Sequence, residues 1–201
     1  EMCIRDSFKL LTGLESEYEG RISVNGTDIR GLWPALYDEI GVVLQDAFLF
    51  DDTFLQNVTL YRPELQGRVE PVMRSLGMDA FLASHYLDQP FQNTKGNLSG
   101  GEKQKLALAR VLVEQKNVIF LDEATNALDA NNEREIMEQL HAFYKGRTVV
   151  VVAHRLSTVR DADKIVVLDK GRIVEEGTHQ ELTALRGTYY KLVKNQLELG
   201  N

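Results

Sequence analysis

Three short apolar runs in this sequence each end at one or two polar residues. The runs and the polar residues that follow them are Val42–Leu44 with Gln45, Val118–Leu121 with Asp122 and Glu123, and Val149–Ala153 with His154. Runs of this length and composition are typical of buried strands in parallel sheets, and ligands bind at the carboxyl ends of such strands. We therefore expect these polar side chains to converge on one crevice.

Helical segments alternate with the predicted strands. Apolar residues recur with helical spacing between Pro63 and Tyr86, and further helices are expected at 131–144, 178–186 and 188–199. Asn25-Gly26 is a turn sequence typical of a β-hairpin, and a second hairpin is expected around residues 169–171. Strands that alternate with helices predict an α/β fold with a largely parallel sheet.

A helix start with the chemistry of an anion site precedes the strand that ends in two acids. Ser99 is a good N-cap residue, and Gly100 and Gly101 allow backbone amides to approach an anion. The helix dipole adds positive potential at the same place. Separately, a glycine-rich cap and an acidic turn each have a simpler, purely structural interpretation. Together they indicate nucleotide chemistry, with Asp122 suited to Mg²⁺ and Glu123 suited to act on water.

Composition narrows the class of protein. The chain has 23 basic and 30 acidic residues, a net charge of −7, so its charge does not favour binding to nucleic acid. Its longest purely apolar run, Val149–Ala153, is far shorter than the ~20 residues of a membrane-spanning helix. The single cysteine, Cys3, excludes an internal disulfide bond and fits a reducing compartment. We expect a protein that faces the cytosol and reaches a membrane through a partner or a further segment.

The order of these motifs resembles the ATP-binding domain of ABC transporters. The matching segments are Gln45 (Q-loop), Leu98–Gln104 (signature), Val118–Glu123 (Walker B strand), Ala127–Asp129 (D-loop) and Val151–Arg155 (switch histidine). The resemblance covers Phe8–Asn201. It implies an α/β, P-loop NTPase-like core with a mainly parallel sheet, a small antiparallel β-region, and a helical subdomain at about residues 60–115 that carries the signature.

The resemblance also implies roles for the residues around the crevice, with ATP and Mg²⁺ as ligands. Asp122 and Gln45 would serve the metal, and Glu123 would be the general base or would position the attacking water. Gln45 would also couple the site to a membrane partner, and His154 would contact the γ-phosphate and link it to Glu123. The simpler interpretations are a surface amide for Gln45 and a hydrogen-bonded strand end for His154.

A second group of residues is implied to act across a dimer interface. Ser99, Gly100 and Gly101, with Glu102 beside them, would cap the γ-phosphate of an ATP bound by a second copy of the domain in a head-to-tail dimer. Asp129 resembles the D-loop residue that crosses this interface, although it also suits the N-cap of the next helix. The partners are thus a second ATP-binding domain and a transmembrane domain, fused upstream or separate, and no nucleic acid.

The N-terminal region departs from the family pattern. The phosphate-binding motif G-x-x-x-x-G-K-[ST] occurs nowhere in the 201 residues. The strand before that motif and the aromatic residue that stacks on adenine are also missing, and Glu1–Ser7 looks foreign to the helix end at Phe8–Gly13. We expect a truncated or mis-joined coding sequence in which residues 8–201 form the domain without its first strands and phosphate loop.

Three functional hypotheses follow. The first is the ATP-hydrolysing domain or subunit of an ABC exporter, at the cytoplasmic face of the plasma membrane or bacterial inner membrane, which drives export of a substrate such as a peptide or a lipid. The second is that the isolated chain is an inactive fragment, because the donors that stabilise the phosphates are missing. The third is a soluble ABC ATPase of DNA repair or translation, which the acidic charge and the exporter-like segment from Gln45 to Asn57 disfavour.

Overall fold

The structure is a computed structural model that describes residues 2–46, 48–92, 98–124, 137, 140, 141, 143–153 and 156–199. Among these residues the α-helices are α1 (Met2–Leu11), α2 (Phe54–Thr59), α3 (Gln66–Ser75), α4 (Asp79–Ser84), α5 (Gly100–Glu114), α6 (Leu156–Val159), α7 (His179–Leu185) and α8 (Thr188–Leu199). The strands are β1 (Ser23–Val24), β2 (Thr27–Asp28), β3 (Ile40–Val43), β4 (Val118–Asp122), β5 (Thr148–Val152), β6 (Ile165–Asp169) and β7 (Arg172–Gly177). Short 3₁₀ turns span Ile29–Gly31, Ala35–Asp38 and Pro63–Leu65.

The chain divides into two compact units, residues 23–150 and residues 1–22 with 151–201. In the first unit β3 pairs in parallel with β4, from Ile40 opposite Val118 to Val43 opposite Leu121. The three-stranded sheet has the order β3–β4–β5. Residues 119–121 of β4 are all buried, which is typical of a strand covered on both faces and explains its continuous apolar sequence. The predicted parallel pairing is confirmed for β3 with β4.

Helix α5 forms the core of the unit made of residues 23–150. It packs on α2, α3 and β3, and its residues 106–109 and 111–113 are buried, so the helix is enclosed on most sides. Gly41 of β3 lies against this helix, where an added Cβ would sit 2.6 Å from Cγ1 of Val111. A glycine at this position therefore lets the strand approach the helix closely.

The predicted helical region after Pro63 consists of α3 and α4. They are separated near Gly77, whose φ of 64° lies in the left-handed region that favours glycine. Phe54, at the start of α2, packs its ring against those of Phe81 and Phe91 at centroid distances of 5.0 and 5.4 Å. These aromatic contacts hold α4 and the segment after it against α2.

The predicted small antiparallel regions are also present. β1 and β2 pair in an antiparallel hairpin, and Asn25 and Gly26 between them both have positive φ, as a tight hairpin turn requires. The second hairpin, β6 with β7, belongs to the other unit and turns at Lys170 and Gly171. Of the helix predicted at 131–144, the described residues 137, 140, 141, 143 and 144 are helical, and the others lie outside the described residues.

The unit made of residues 1–22 and 151–201 has its own apolar cluster. The buried residues of that cluster are Ile165, Val167, Leu182, Tyr189 and Val193. Helix α1 ends as predicted near Gly13, which has a φ of 71°, and residues 2–7 form the first part of the same helix. Within the described part of the chain, no helix combines the length and apolarity that a membrane span requires.

Side-chain caps fix the helices that follow β7. Thr178 and Glu181 form a capping box at the start of α7. The Glu175 carboxylate accepts hydrogen bonds from the backbone amides of Thr188 and Tyr189, the latter at 2.9 Å, at the start of α8. These backbone donors lower the pKa of Glu175, because they favour its charged form.

We predict that Gly41→Ala destabilises the chain by about 1–3 kcal/mol, because the new methyl group would overlap Val111 in a packed core. Gly67→Ala is the matched control. Gly67 lies in α3 with open space around it, so alanine there should leave stability unchanged or raise it by up to about 1 kcal/mol. Urea unfolding of the two variants measures both effects, and equal midpoints would contradict the close approach at Gly41.

We predict that Glu175→Gln removes a pH-dependent part of the stability. Because the folded pKa of Glu175 is lowered, its contribution is present above the unfolded pKa of about 4.3 and is lost as pH falls through the folded value. The stability difference between wild type and variant should therefore be largest near neutral pH and shrink in acid. Thermal unfolding from pH 3 to 7 measures it, with Glu19→Gln, on an exposed side chain, as control. A difference that does not change with pH would refute the capping role.

Candidate functional site

The residues that follow β3 and β4 meet at one edge of the sheet. Because these strands are parallel and in register, their carboxyl ends lie side by side. Gln45 follows β3, and its Nε2 donates a hydrogen bond of 3.0 Å to Oε2 of Glu123, which follows β4. Two of the polar residues singled out in the sequence are thus in direct contact, although they are 78 positions apart.

Glu123 combines burial with an unusual backbone conformation. It is 6% exposed, and its φ of 48° lies in the left-handed region. For a residue with a side chain this conformation costs of order 1–3 kcal/mol and persists where surrounding contacts impose it, often at functional sites. The sequence offers no signal for this conformation, since glutamate is not a residue that favours it.

Gln104 supplies one of those contacts and was not assigned a role from the sequence. It lies on α5 with 2% of its surface exposed, and its Nε2 donates a hydrogen bond of 3.1 Å to the backbone carbonyl of Glu123. One feature of the sequence indicates such a contact, because Gln104 is an amide on a helix face that is otherwise apolar. A buried amide requires a hydrogen-bond partner. Two side chains therefore hold Glu123. Gln45, just after β3, bonds to its carboxylate, and Gln104 of α5 bonds to its backbone carbonyl.

Asp122 is the last residue of β4 and is 7% exposed. A carboxylate here and the side-chain amide oxygen of Gln45 are hard oxygen donors of the kind that Mg²⁺ prefers. In the described ranges, no group of three or more His, Cys, Asp and Glu side chains could enclose a metal ion. The carboxylate of Asp122 and the amide oxygen of Gln45 nevertheless fit Mg²⁺. This ion keeps several waters and is commonly bound through one or two protein groups together with substrate phosphates.

The start of α5 has the predicted N-cap. Oγ of Ser99 accepts a hydrogen bond of 3.2 Å from the amide of Glu102, and the Glu102 carboxylate accepts 2.8 Å hydrogen bonds from the amide and the hydroxyl of Ser99. Ser99 and Gly100 are exposed, so the positive end of the α5 dipole faces solvent. The N-cap role of Ser99 is confirmed, and the phosphate-binding role of Ser99, Gly100, Gly101 and Glu102 stays a prediction.

Two of the predicted site residues, Asp129 and His154, lie outside the described residues. Their predicted roles, across the dimer interface and at the γ-phosphate, therefore stay predictions.

The segment after Gln45 presents two aromatic side chains to solvent. Phe48 and Phe50 are 61% and 43% exposed, and their rings meet edge to face at 5.2 Å. The buried side chain of Asn57 bonds to the backbone of Phe50 on both sides, accepting from its amide at 2.7 Å and donating to its carbonyl at 3.0 Å. The segment is therefore fixed in shape while its aromatic rings remain exposed.

Arg110 of α5 also holds this segment. It donates hydrogen bonds to the carbonyls of Asn57 at 2.8 Å and Phe48 at 3.1 Å, and partial burial lowers the pKa of its guanidinium. The sequence does not indicate this anchoring role, because the carbonyls that Arg110 binds belong to residues far away in the sequence.

Known proteins resemble this chain in sequence. The family model described as ABC transporter matches residues 7–126. P-glycoprotein 14 of Caenorhabditis elegans is 40% identical over 198 residues, which cover 94% of this chain and 15% of that protein. An ATP-dependent lipid A-core flippase of Neisseria meningitidis serogroup B is 38% identical over 180 residues, which cover 88% of this chain and 29% of the flippase.

A solved structure also resembles this chain in its fold. The structure of a bacterial Atm1-family ABC exporter with ATP bound aligns with a TM-score of 0.87 and 35% identity, over 96% of this chain and 34% of that chain. This chain thus spans between a seventh and a third of the length of the proteins it matches. The chain belongs to the ABC transporter family, as an ATP-binding domain similar to that of the Atm1-family exporter.

Proposed function

We propose that this domain binds and hydrolyses ATP in an ABC exporter and couples hydrolysis to the export of a substrate such as a lipid or a peptide. The observation that carries the proposal is the contact between Gln45 and Glu123 at the ends of two parallel strands. In a chain of this family, a carboxylate and an amide at this edge of the sheet support a site for a nucleotide phosphate and its attacking water.

Each residue of this site has a distinct role in the proposed reaction. Glu123 orients the attacking water or accepts its proton, and its buried carboxylate is held in one orientation by Gln45. Asp122 and Gln45 would hold Mg²⁺, Asp122 by way of water. When bound, Mg²⁺ neutralises charge on the phosphates. His154 contacts the γ-phosphate in this proposal.

The proposed active assembly is a head-to-tail dimer of ATP-binding domains. Ser99, Gly100, Gly101 and Glu102 form a helix start whose first two residues are exposed, and a phosphate bound by a second domain would bind there. Asp129 would lie at the same interface. The second domain is either another copy of this chain or a related one.

The proposed membrane partner is a transmembrane domain, fused upstream or separate, which places this domain at the cytoplasmic face of the plasma or bacterial inner membrane. Phe48 and Phe50 support this partner, because two exposed aromatic rings on a fixed segment next to Gln45 are suited to pack against another protein. Gln45 bonds to Glu123 on one side and leads into this segment on the other, so it can relay movement between partner and active site.

We further propose that residues 8–201 constitute the domain without its phosphate loop, and that Glu1–Ser7 is foreign to it. The genomic sequence upstream of the Phe8 codon checks this proposal. We expect an open frame that encodes a glycine-rich phosphate loop, preceded by about six apolar helices of spanning length.

We predict that the 201 residues alone bind MgATP weakly and do not hydrolyse it, because they contain no G-x-x-x-x-G-K-[ST] loop to supply phosphate-binding donors. Calorimetric titration with MgATP and a phosphate-release assay on the purified chain measure this. Phosphate release that disappears in Glu123→Gln would sink the prediction, because it would show an active site that works without this loop.

We predict that in the transporter carrying this domain, Glu123→Gln lowers kcat by at least about 100-fold while ATP binding persists, because the amide cannot accept the proton of the attacking water. ATP turnover and equilibrium binding of a labelled nucleotide measure the two effects separately. Glu64→Gln, at an exposed 3₁₀ turn, is the matched control and should hydrolyse ATP like wild type. Undiminished turnover in Glu123→Gln would exclude Glu123 as the catalytic group.

A further inference from the structure

Gln104 is the buried polar residue of α5 whose bond reaches the candidate site. Its side chain donates to the carbonyl of Glu123 at 3.1 Å, and the residue is 2% exposed. A hydrogen bond this well shielded from water is stronger than an exposed one. Without the Gln104 donor, the carbonyl of Glu123 would lose this hydrogen bond while still buried, which costs free energy. Residues 106–109 of the same helix are buried apolar residues, so packing alone does not explain an amide at this position.

The carbonyl that Gln104 binds belongs to a backbone in an unfavourable conformation. Glu123 has a φ of 48°, and this left-handed turn directs its carboxylate towards Gln45. A conformation that costs free energy requires contacts that select it. The hydrogen bond from Gln104 selects the orientation of the Glu123 peptide, and it therefore helps to select the position of the carboxylate.

Gln104 also belongs to the helix that begins at the signature residues. It lies about one helical turn after Gly100, the first residue of α5, and the capping box of Ser99 and Glu102 closes the same end. The first turns of α5 therefore move as one body with the amide that holds Glu123. Any ligand that shifts or stabilises the start of α5 will act on the carbonyl of Glu123 through this bond.

We propose that Gln104 is a positioning residue that couples the start of α5 to the Glu123 carboxylate. This inference rests on the proposed function, in which the start of α5 meets a nucleotide held by a second domain while Glu123 acts on the nucleotide of its own domain. When the nucleotide of the second domain binds at the start of α5, this hydrogen bond changes the position of the Glu123 carboxylate, which acts on the nucleotide of its own domain. Gln104 itself touches neither nucleotide in this proposal.

The first test measures positioning in the 201-residue chain without nucleotide. Gln104→Met keeps the length of the side chain but has no donor, and Gln104→Leu keeps much of its bulk and likewise has no donor. Both should speed amide hydrogen exchange at residues 123–124 by roughly tenfold, the equivalent of one hydrogen bond. Gln66→Met, on the exposed start of α3, is the matched control and should change nothing at these residues. Exchange at 123–124 that both Gln104 variants leave unchanged, while circular dichroism shows them folded, would overturn the proposal.

The second test measures coupling in the transporter that carries the domain, by hydrogen exchange with and without a non-hydrolysable ATP analogue. In wild type, the analogue should slow exchange both in the first turn of α5 and at residues 123–124. In Gln104→Met it should slow exchange in the first turn of α5 as in wild type, and slow exchange at residues 123–124 less than in wild type. Equal protection of residues 123–124 in both proteins would overturn the coupling. If the analogue leaves the first turn of α5 unprotected in wild type, the proposed contact between this turn and the nucleotide of a second domain is wrong. The coupling through Gln104 is then wrong as well.

ATP turnover separates positioning from stability. Gln104→Met should lower kcat about tenfold and leave KM for ATP within about twofold of wild type, because the variant disturbs the group that acts on water rather than the groups that bind the nucleotide. A merely structural role would instead lower the amount of active protein and leave the turnover of each folded molecule unchanged. A normal kcat per folded molecule would therefore refute the positioning role.

Discussion

The parallel pairing of β3 with β4 is the interaction on which the candidate site depends. Its register places the ends of both strands at one edge of the sheet, so Gln45 meets Glu123 without any local signal between them. Helix α5 fixes the same edge from the side, because Gly41 allows it to approach β3 and Gln104 binds the chain just after β4. The geometry of the candidate site therefore depends on how one helix and two strands pack.

The elements that the sequence predicts well are those with local causes. The apolar runs of β3, β4 and β5 lie close to where they were expected, because a buried parallel strand needs apolar residues on both faces. The start of α5 at Ser99 follows from a capping box that four adjacent residues complete by themselves. The hairpin turns at Asn25-Gly26 and Lys170-Gly171 follow from backbone conformations that those residues adopt readily.

The features that the sequence does not reveal depend on residues far apart in the chain. Gln104 and Arg110 are polar residues of one helix, and their partners lie 19 to 62 positions away. The positive φ of Glu123 is likewise imposed by its neighbours in space, since glutamate does not favour it. Polar residues on a largely buried helix thus indicate that such contacts exist. Each of these residues must have a hydrogen-bond partner, but only the fold determines which one.

The segment from Phe48 to Phe50 is held by hydrogen bonds to its main-chain atoms and by the buried side chain of Leu49. Asn57 binds the amide and carbonyl of Phe50, and Arg110 binds the carbonyl of Phe48. Because these bonds do not depend on which side chains the segment carries, its aromatic residues can be exchanged during evolution while its shape persists. Under the proposed function, the docking surface can therefore change without altering the residues that hold Glu123, so the choice of membrane partner and the hydrolysis of ATP can evolve independently.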